Sequence, residues 1–219
     1  MAALSALKQA QADLIRKPLD AAILIAPTTA SIPTAWTTGS SADLISLPTG
    51  FKGLGYATKD DGISFSRDIS VEETTSYGSV TPTRRDMVSD TTTISFTCQE
   101  TNLQTLQLYF GVDLSAATPT ATTGELAFSQ PLQPSSSKYR LVTIGQDGVG
   151  TDTVYIIRIF PAAQLSEVGE QSWSDSSELS YPLTFTATPD NTAGYAARVV
   201  FAGAGWKSRL VAMGFPAAA

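Results

Sequence analysis

The sequence predicts a mainly β domain with a single good helix, and three observations carry that expectation. Of 219 residues, 42% are hydrophobic and only 16% charged, with Thr, Ser, Gly and Ala making up much of the rest; that composition suits pleated, half-buried strands better than a helical bundle. Apolar and polar residues alternate with a period of two over several segments, which places them on opposite faces of a strand. Helical spacing with a clear stop signal occurs best in one place, near residues 100–110. At this length folding removes roughly 70% of the unfolded chain's surface from water, enough for a core without covalent staples.

Taken in order, residues 3–16 (ALSALKQAQADLIR) predict a short helix with Leu4, Leu7, Leu14 and Ile15 on one side. Pro18 ends it. Residues 27–50 are rich in Pro, Thr, Ser and Gly and read as an extended arm or linker. The division is therefore an N-terminal arm, 1–42, and a β domain, 43–219. Strands are expected near 43–47 and 54–58. Two alternating strands follow, ISFSRDISVEETT and TTTISFT. Ile63, Phe65, Ile69 and Val71 share one face of the first, and Ser64, Ser66, Asp68, Ser70 and Glu72 the other. On the second, Ile94, Phe96 and Cys98 face one way and Thr93, Ser95 and Thr97 the other. Each strand is expected to be half buried, with a smooth hydroxyl-to-acidic surface on its wet side. The connection between them, about 74–90, is longer than a hairpin needs. Tyr77, Pro82 and the mixed charges Arg84, Arg85, Asp86 and Asp90 suit a partner-contacting arm; a solvated hairpin is the plainer alternative.

The helix is expected over Glu100–Phe110, with Leu103, Leu106 and Phe110 inward, Thr97 and Glu100 at capping-box spacing and Gly111 as the stop. Residues 113–124 form a loop. Strands resume at ELAFSQ (125–130) and KYRLVTIG (138–145), turn through Gln146–Gly150, and return as TVYIIRIF (153–160). Val154, Ile156 and Phe160 oppose Tyr155, Ile157 and Ile159 there, so that strand is buried on both sides. Residues 164–173 predict another strand ending at Trp173. In ELSYPLTFTAT (178–188), Leu179, Tyr181, Leu183, Phe185 and Ala187 point inward and Ser180, Thr184, Thr186 and Thr188 outward. Pro182 lacks an N–H, so the strand is an edge there or its open side faces a neighbour. The tail from Tyr195 is small and apolar, and the chain has no internal repeats.

Several function classes are excluded. The chain has no histidine and one cysteine, so no Ser-His-Asp triad, Cys-His dyad, histidine metal site or internal disulfide is available. Cys98 reads as a small buried hydrophobe at a strand end. Gly145, Gly148 and Gly150 fall in a hairpin rather than at a strand-to-helix turn, and Asp60-Asp61-Gly62 reads as a turn rather than a calcium loop. Asp68, Glu72 and Glu73 form a solvated acidic stripe rather than an acid–base pair. The expectation is no enzyme, no cofactor and no metal. A net charge of −6 argues against tight nucleic-acid binding, which needs clustered cations. The apolar run AAILIA (21–26) is far too short to span a bilayer, and the N-terminus lacks a signal peptide's basic start, so the protein is expected to stay in a cytoplasm or leave by lysis.

Two stretches, GLGYATKDDGISFSRDISVEETTSYGSVTPTRRDMVSDTTTISFTCQET with the helix that follows, and YPLTFTATPDNTAGYAARVVFAGAGW near the C-terminus, resemble the major tail tube protein of long-tailed (siphovirus-type) bacteriophages, in particular those of actinobacteria. The resemblance covers residues ~43–206 and leaves the arm out. It implies a tail-tube-type antiparallel β-sandwich or barrel with one flanking helix. It further implies homohexameric rings stacked into a tube around a tape-measure protein, with a tail terminator and baseplate or tip proteins as further partners. Double-stranded DNA would pass through without specific binding, and no membrane is involved. The place of action would be the phage tail of the virion, assembled in the host bacterial cytoplasm. By matching position, the connection holding Tyr77, Pro82, Arg84, Arg85, Asp86 and Asp90 would reach a neighbouring subunit. An open hydroxyl face with few Lys or Arg suits a channel to which DNA must not stick, so Ser64, Ser66, Asp68, Ser70, Glu72, Thr93, Ser95 and Thr97 are expected to line the bore. Arg67, on the apolar side, would be an inter-subunit ion-pair partner. Two other readings stay open: a β-sandwich binding or adhesin module, for which Trp36, Trp173 and Trp206 are too dispersed to form a platform, and the tube protein of a contractile injection system.

Overall fold

The computed structural model describes residues 4–132 and 137–217. Its core is one antiparallel sheet of eight strands. The strands are β1 (Asp20–Pro27), β4 (Lys52–Gly53), β5 (Ser64–Thr74), β6 (Arg84–Cys98), β7 (Lys138–Asp147), β8 (Val154–Val168), β9 (Tyr181–Thr188) and β10 (Arg198–Ala202). A small ribbon pairs β2 (Thr37–Thr38) with β3 (Asp43–Leu44). Among the described residues three helices accompany them: α1 (Leu4–Lys8), α2 (Leu103–Phe110) and α3 (Ala204–Arg209). The sheet order is β4-β1-β7-β8-β9-β6-β5, with β10 also paired to β8.

The sheet buries apolar groups on both faces, in two separate clusters. One face gathers Ile23, Ile25, Ile94, Phe96, Leu141, Phe160, Leu183 and Phe185 under α2. The other gathers Leu24, Ala26, Val142, Ile157 and Ile159 with Trp36 and Phe51. Strand β8 serves both, as the two-sided apolar run TVYIIRIF predicts. Aromatic stacking fixes the first cluster: Phe96 lies on Phe185 at 5.7 Å and Phe65 on Phe160 at 6.2 Å between ring centroids. The sheet's two borders approach through residues 51–58. Lys52 and Gly53 pair with Ile25 and Leu24 of β1, and Ala57 bridges Cys98 of β6. The result is a sheet curled toward a barrel, consistent with the predicted sandwich.

The segment read as an arm does more than link. AAILIA forms β1 in the sheet, paired with β7 along its whole length. The expected helix over 3–16 breaks instead into α1 and a 3-10 turn at Ala12–Leu14. Leu4, Leu7 and Ile15 are 79%, 70% and 76% exposed, so the stripe has no surface to pack on, and a helix this short does not persist without one. The strand expected at 43–47 shrinks to β3, and 54–58 to one bridge. No strand forms at 125–130; Phe128 meets the Phe110 ring of α2 edge-on at 5.3 Å. Strand β8 ends at Val168 rather than at Trp173, which is 87% exposed. Leu179 precedes β9 and is not a core residue, but Tyr181, Leu183, Phe185 and Ala187 are all buried as predicted. Pro182, the second residue of β9, pairs with Thr97 of β6 but lies one residue beyond the β8 ladder, which stops at the Val168–Leu183 pair. It is thus at a local edge as expected, and on that side its carbonyl accepts the Gly169 N–H at 3.0 Å.

Helix α2 starts later than expected. Asn102, not Thr97, is the N-cap, accepting the Thr105 N–H at 2.9 Å and donating to the Leu54 carbonyl at 3.0 Å. Leu103 faces solvent, and the fully buried positions are Thr105 and Leu108. Glu100 serves elsewhere, since its carboxylate accepts the Tyr56 N–H at 2.9 Å while lying on Gly55. A Cβ at Gly55 would fall 2.1 Å from that carboxyl carbon, so only glycine admits the contact. Gly111, in the left-handed region at φ 64°, stops the helix as predicted. Cys98 is fully buried at the end of β6, and burial raises its thiol pKa to about 11, leaving it protonated and inert.

This packing can be tested at two positions. Phe96→Ala removes a ring that is 3% exposed and should destabilise the subunit by about 3–5 kcal/mol, read as a lower denaturation midpoint at unchanged slope. Asp190 accepts N–H bonds from Ala193 and Thr192 and pairs with Arg140 at 3.3 Å, and these contacts hold its carboxyl below the ordinary aspartate range. Its contribution is complete above the unfolded aspartate pKa and is lost as pH falls through the depressed folded value. Asp190→Asn should therefore flatten the acid limb of the stability–pH profile, measured by denaturation between neutral and acid pH.

Candidate functional site

The candidate surface is built on β5 and β6, whose pairing runs from Ser64↔Ser95 to Thr74↔Arg84. Strand β6 begins at Arg84, so the true turn is only 75–83, and most of what reads as a long loop is strand. A bulge between Ser70 and Val71 leaves Val88 as the additional residue on β6 and lets the ladder continue. Only 92–98 of β6 pairs with β9. The outer half of the β5–β6 hairpin therefore projects beyond the sheet.

Alternation places Ser64, Ser66, Asp68, Ser70 and Glu72 of β5 on the same face as Thr93, Ser95 and Thr97 of β6. The hydroxyls bond one another across the strands. Ser66 pairs with Thr93, Ser70 with Ser89 at 2.7 Å, and Ser95 with Thr184 of β9 at 3.1 Å. Thr186, opposite Thr93, extends the same face. The five β5 members are exposed and Thr93 and Ser95 half-buried, but Thr97 is 8% exposed and withdrawn from the surface. It lies opposite Pro182 and beside the 56–58 crossing, where its carbonyl accepts the Thr58 N–H at 2.9 Å. A parity rule sees the face but not the segment laid across its end.

The charges of this face are mainly acidic: Asp68, Glu72 and Asp86, with Arg84 held on Asp86 at 2.7 Å. Glu72 and Asp86 sit directly opposite one another, a like-charged pair that costs free energy and that Arg84 offsets. On the other face Arg67 grips Asp90 with two bonds, at 2.8 and 2.6 Å, and Arg85 meets Glu73 at 2.7 Å. Arg67, expected to pair with another subunit, is thus paired within its own. The bond to Arg67 holds the Asp90 carboxyl below its ordinary range. Tyr77 and Pro82 lie in the turn, Tyr77 fully exposed, while Ser76 and Thr83 share a 2.9 Å bond that closes it.

The apolar side of the projecting hairpin departs furthest from expectation. Ile69 and Val71, predicted to be buried, are 42% and 50% exposed, and Met87 and Val88, which the sequence did not single out, are 63% and 61% exposed. Their alternation was legible; the absence of a covering layer was not. Strand β5 is also the terminal strand of the sheet, so its outer backbone edge has no strand partner among the described residues. Such an edge beside an apolar face is a template for joining another chain. Among the described residues no three His, Cys, Asp or Glu side chains group to hold a metal, and no helix is long and apolar enough to cross a membrane.

No curated protein matches the chain. The family model described as phage tail tube protein matches residues 9–200, which takes in β1 and most of the segment read as an arm, as well as the whole β5–β6 hairpin. A match of that extent assigns the chain: it belongs to the phage tail tube protein family, and it is a structural, non-enzymatic component of the virion tail.

Proposed function

We propose that this subunit forms hexameric rings that stack into the tail tube, and that the hydroxyl-rich face of β5, β6 and β9 lines the bore through which DNA leaves. The observation that carries the reading is β5 itself: eleven residues of free sheet edge running into a hairpin with an uncovered apolar side. Joining copies around a closed ring satisfies every such edge and prevents unlimited growth in the plane. The hydroxyl face suits a conduit. Its side chains already bond one another, so few donors remain for phosphates, and its charges are mainly acidic. Screening over about 8–10 Å makes these local charges, not the net charge, the ones DNA meets. Ser64, Ser66, Asp68, Ser70, Glu72, Thr93 and Ser95 are the proposed wall; Thr97 supports it from beneath. The turn residues Tyr77 and Pro82, with Arg84, Arg85, Asp86 and Asp90 on the hairpin strand, are the proposed contact to the adjoining ring. The tape-measure, terminator and baseplate or tip proteins are the proposed tail partners, and assembly would take place in the bacterial host cytoplasm.

Negative-stain microscopy of purified protein should show rings or tubes, and a strict monomer at every concentration would sink the reading. Replacing Arg84 and Arg85 together by Glu removes the partners of Asp86 and Glu73. It should shorten or abolish tubes, while the new like charges beside Asp86 and opposite Glu73 cost the subunit only about 1–2 kcal/mol and leave it folded, as a denaturation curve would show. Tubes of normal length and stability would remove the hairpin from ring stacking.

A further inference from the structure

We infer that the loop 169–180 of one copy, led by Trp173, seats on the aromatic patch of β10 and α3 in a copy of the adjoining ring; this names a contact within the stacking proposed above and rests on it. The loop joins the end of β8 to the start of β9. The patch lies beside the beginning of β8, because β10 pairs with residues 155–159. At about 3.3 Å per residue the two surfaces are roughly 30 Å apart along β8, so no subunit can bring its own loop to its own patch.

The seat is apolar with one embedded cation. Val199 and Phe201 share a face of β10 and are 50% and 41% exposed. The Phe201 ring stacks on Trp206 of α3 at 4.6 Å, and Trp206 meets Phe215 at 6.0 Å between centroids. Arg158 of β8 pairs with Val199 and so lies on the same face. Its half-buried guanidinium sits 3.9 Å from the centroid of the Phe65 ring and meets no carboxylate among the described residues. Burial disfavours the charged form of Arg158, a cost that a carboxylate from outside would offset. On α3, Arg209 is already held by Asp152 at 2.9 Å, but Lys207 is exposed and unpaired among the described residues. The chain has no acidic side chain beyond Asp190 to answer these cations locally.

The loop carries the complement. Residues 164–180 include Glu167, Glu170, Asp175 and Glu178 and no Lys or Arg. None of the four is ion-paired among the described residues. Trp173 projects almost fully exposed, with Leu179 beside it. The loop is already shaped. The Gln171 side chain donates to the Ser180 carbonyl at 3.0 Å, the Ser174 and Ser176 hydroxyls share a 2.7 Å bond, and Gln99 donates to Glu178 at 2.7 Å. Gln99 follows β6 directly, so the loop leans toward β6 and away from β7. A large aromatic side chain on a preordered loop delivers contact area at small ordering cost. A second copy therefore supplies both things the seat lacks, an apolar cover and carboxylates.

The placement of the two surfaces suits stacking. Strand β9 runs against β8, with Thr188 opposite Ala162. The outer half of the β5–β6 hairpin continues past that end of β9, in the direction of the start of β8, where the patch lies. The hairpin turn, proposed above to contact the adjoining ring, therefore shares one end of the subunit with the patch, and the Trp173 loop occupies the other end. Because loop and patch are different surfaces, the contact is head-to-tail and repeats from ring to ring without closing. Loop against loop, or patch against patch, would instead oppose like charges.

The test uses two full-length variants, Ser172→Cys beside Trp173 and Lys207→Cys on the seat, both at exposed positions. Cys98 is buried and stays in place; wild type treated in parallel gives the background. The variants are mixed in equal amounts under assembly conditions and treated with a bismaleimide. A covalent dimer in the mixture, well above that from either variant alone, is the expected result. Tubes in the mixture without that dimer would overturn the contact while leaving tube assembly standing. A dimer without tubes would support the contact and count against the tube; neither tubes nor dimer would sink both. As an independent arm, Trp173→Ala should leave the denaturation midpoint unchanged and give rings that stack only at several-fold higher concentration, while Trp173→Phe keeps most of the stacking. Wild-type yields of tubes from Trp173→Ala would overturn the contact. So would wild-type binding to vesicles of anionic lipid that Lys207→Glu abolishes without affecting tubes, since the seat would then belong to a membrane surface.

Discussion

The structure depends on how an antiparallel sheet disposes of its edges. Every strand leaves a row of backbone donors and acceptors on each side, and only pairing, covering or closure removes them. This chain closes part of its border internally. Residues 51–58 cross from β1 to β6, hydrogen bonded at Leu54–Ile23, Thr58–Thr97 and Gln99–Tyr56. Glu100 locks the crossing by lying on Gly55, where no other residue would leave room. The crossing stops at Ala57–Thr58, and beyond it β5 runs out as an open edge. The subunit is therefore closed at one end of its sheet and open at the other.

The two cores explain why the open end does not compromise the fold. Apolar burial is concentrated around β8, which is buried on both faces, and around α2, while the outer hairpin contributes almost nothing to either cluster. Local stability follows local burial. The hairpin is held in shape instead by its own ladder, by the two-bond Arg67–Asp90 pair and by the hydroxyl pairs Ser66–Thr93 and Ser70–Ser89. These are individually weak at exposed positions, but they run along the whole hairpin and tie its two strands together on both faces. An apolar side without a cover and a preformed backbone edge make an element that costs little ordering entropy when a partner arrives.

The opposite face combines properties that rarely coincide on a sheet exposed to water. It carries many hydroxyls, few cations and no aromatic platform. Cross-strand bonds consume much of its hydrogen-bonding capacity, so it offers a passing polyanion little to hold. Its mainly acidic charges act over about a Debye length. Nothing in the face is arranged for chemistry: there is no histidine, and the single thiol lies in the core on the other side.

Local pattern determined a good deal here. The period-two alternation of 63–74, 91–98 and 181–188 decided which side chains share a face, and the structure keeps that parity through the register of β5, β6 and β9. The two-sided apolar run at 154–160 and the Gly111 stop were equally readable, because each is a short-range steric or solvation rule. Tertiary structure decided the rest. AAILIA could equally have been a helix turn or a buried strand; the open side of β7 made it β1. Ile69 and Val71 alternate like core residues, yet nothing covers them, since burial depends on what another segment places above a strand. Thr97 alternates like a surface residue, yet the 56–58 crossing buries it. Periodicity assigns a side chain to a face, and only the arrangement of distant segments decides whether that face meets protein, water or a second copy of the chain.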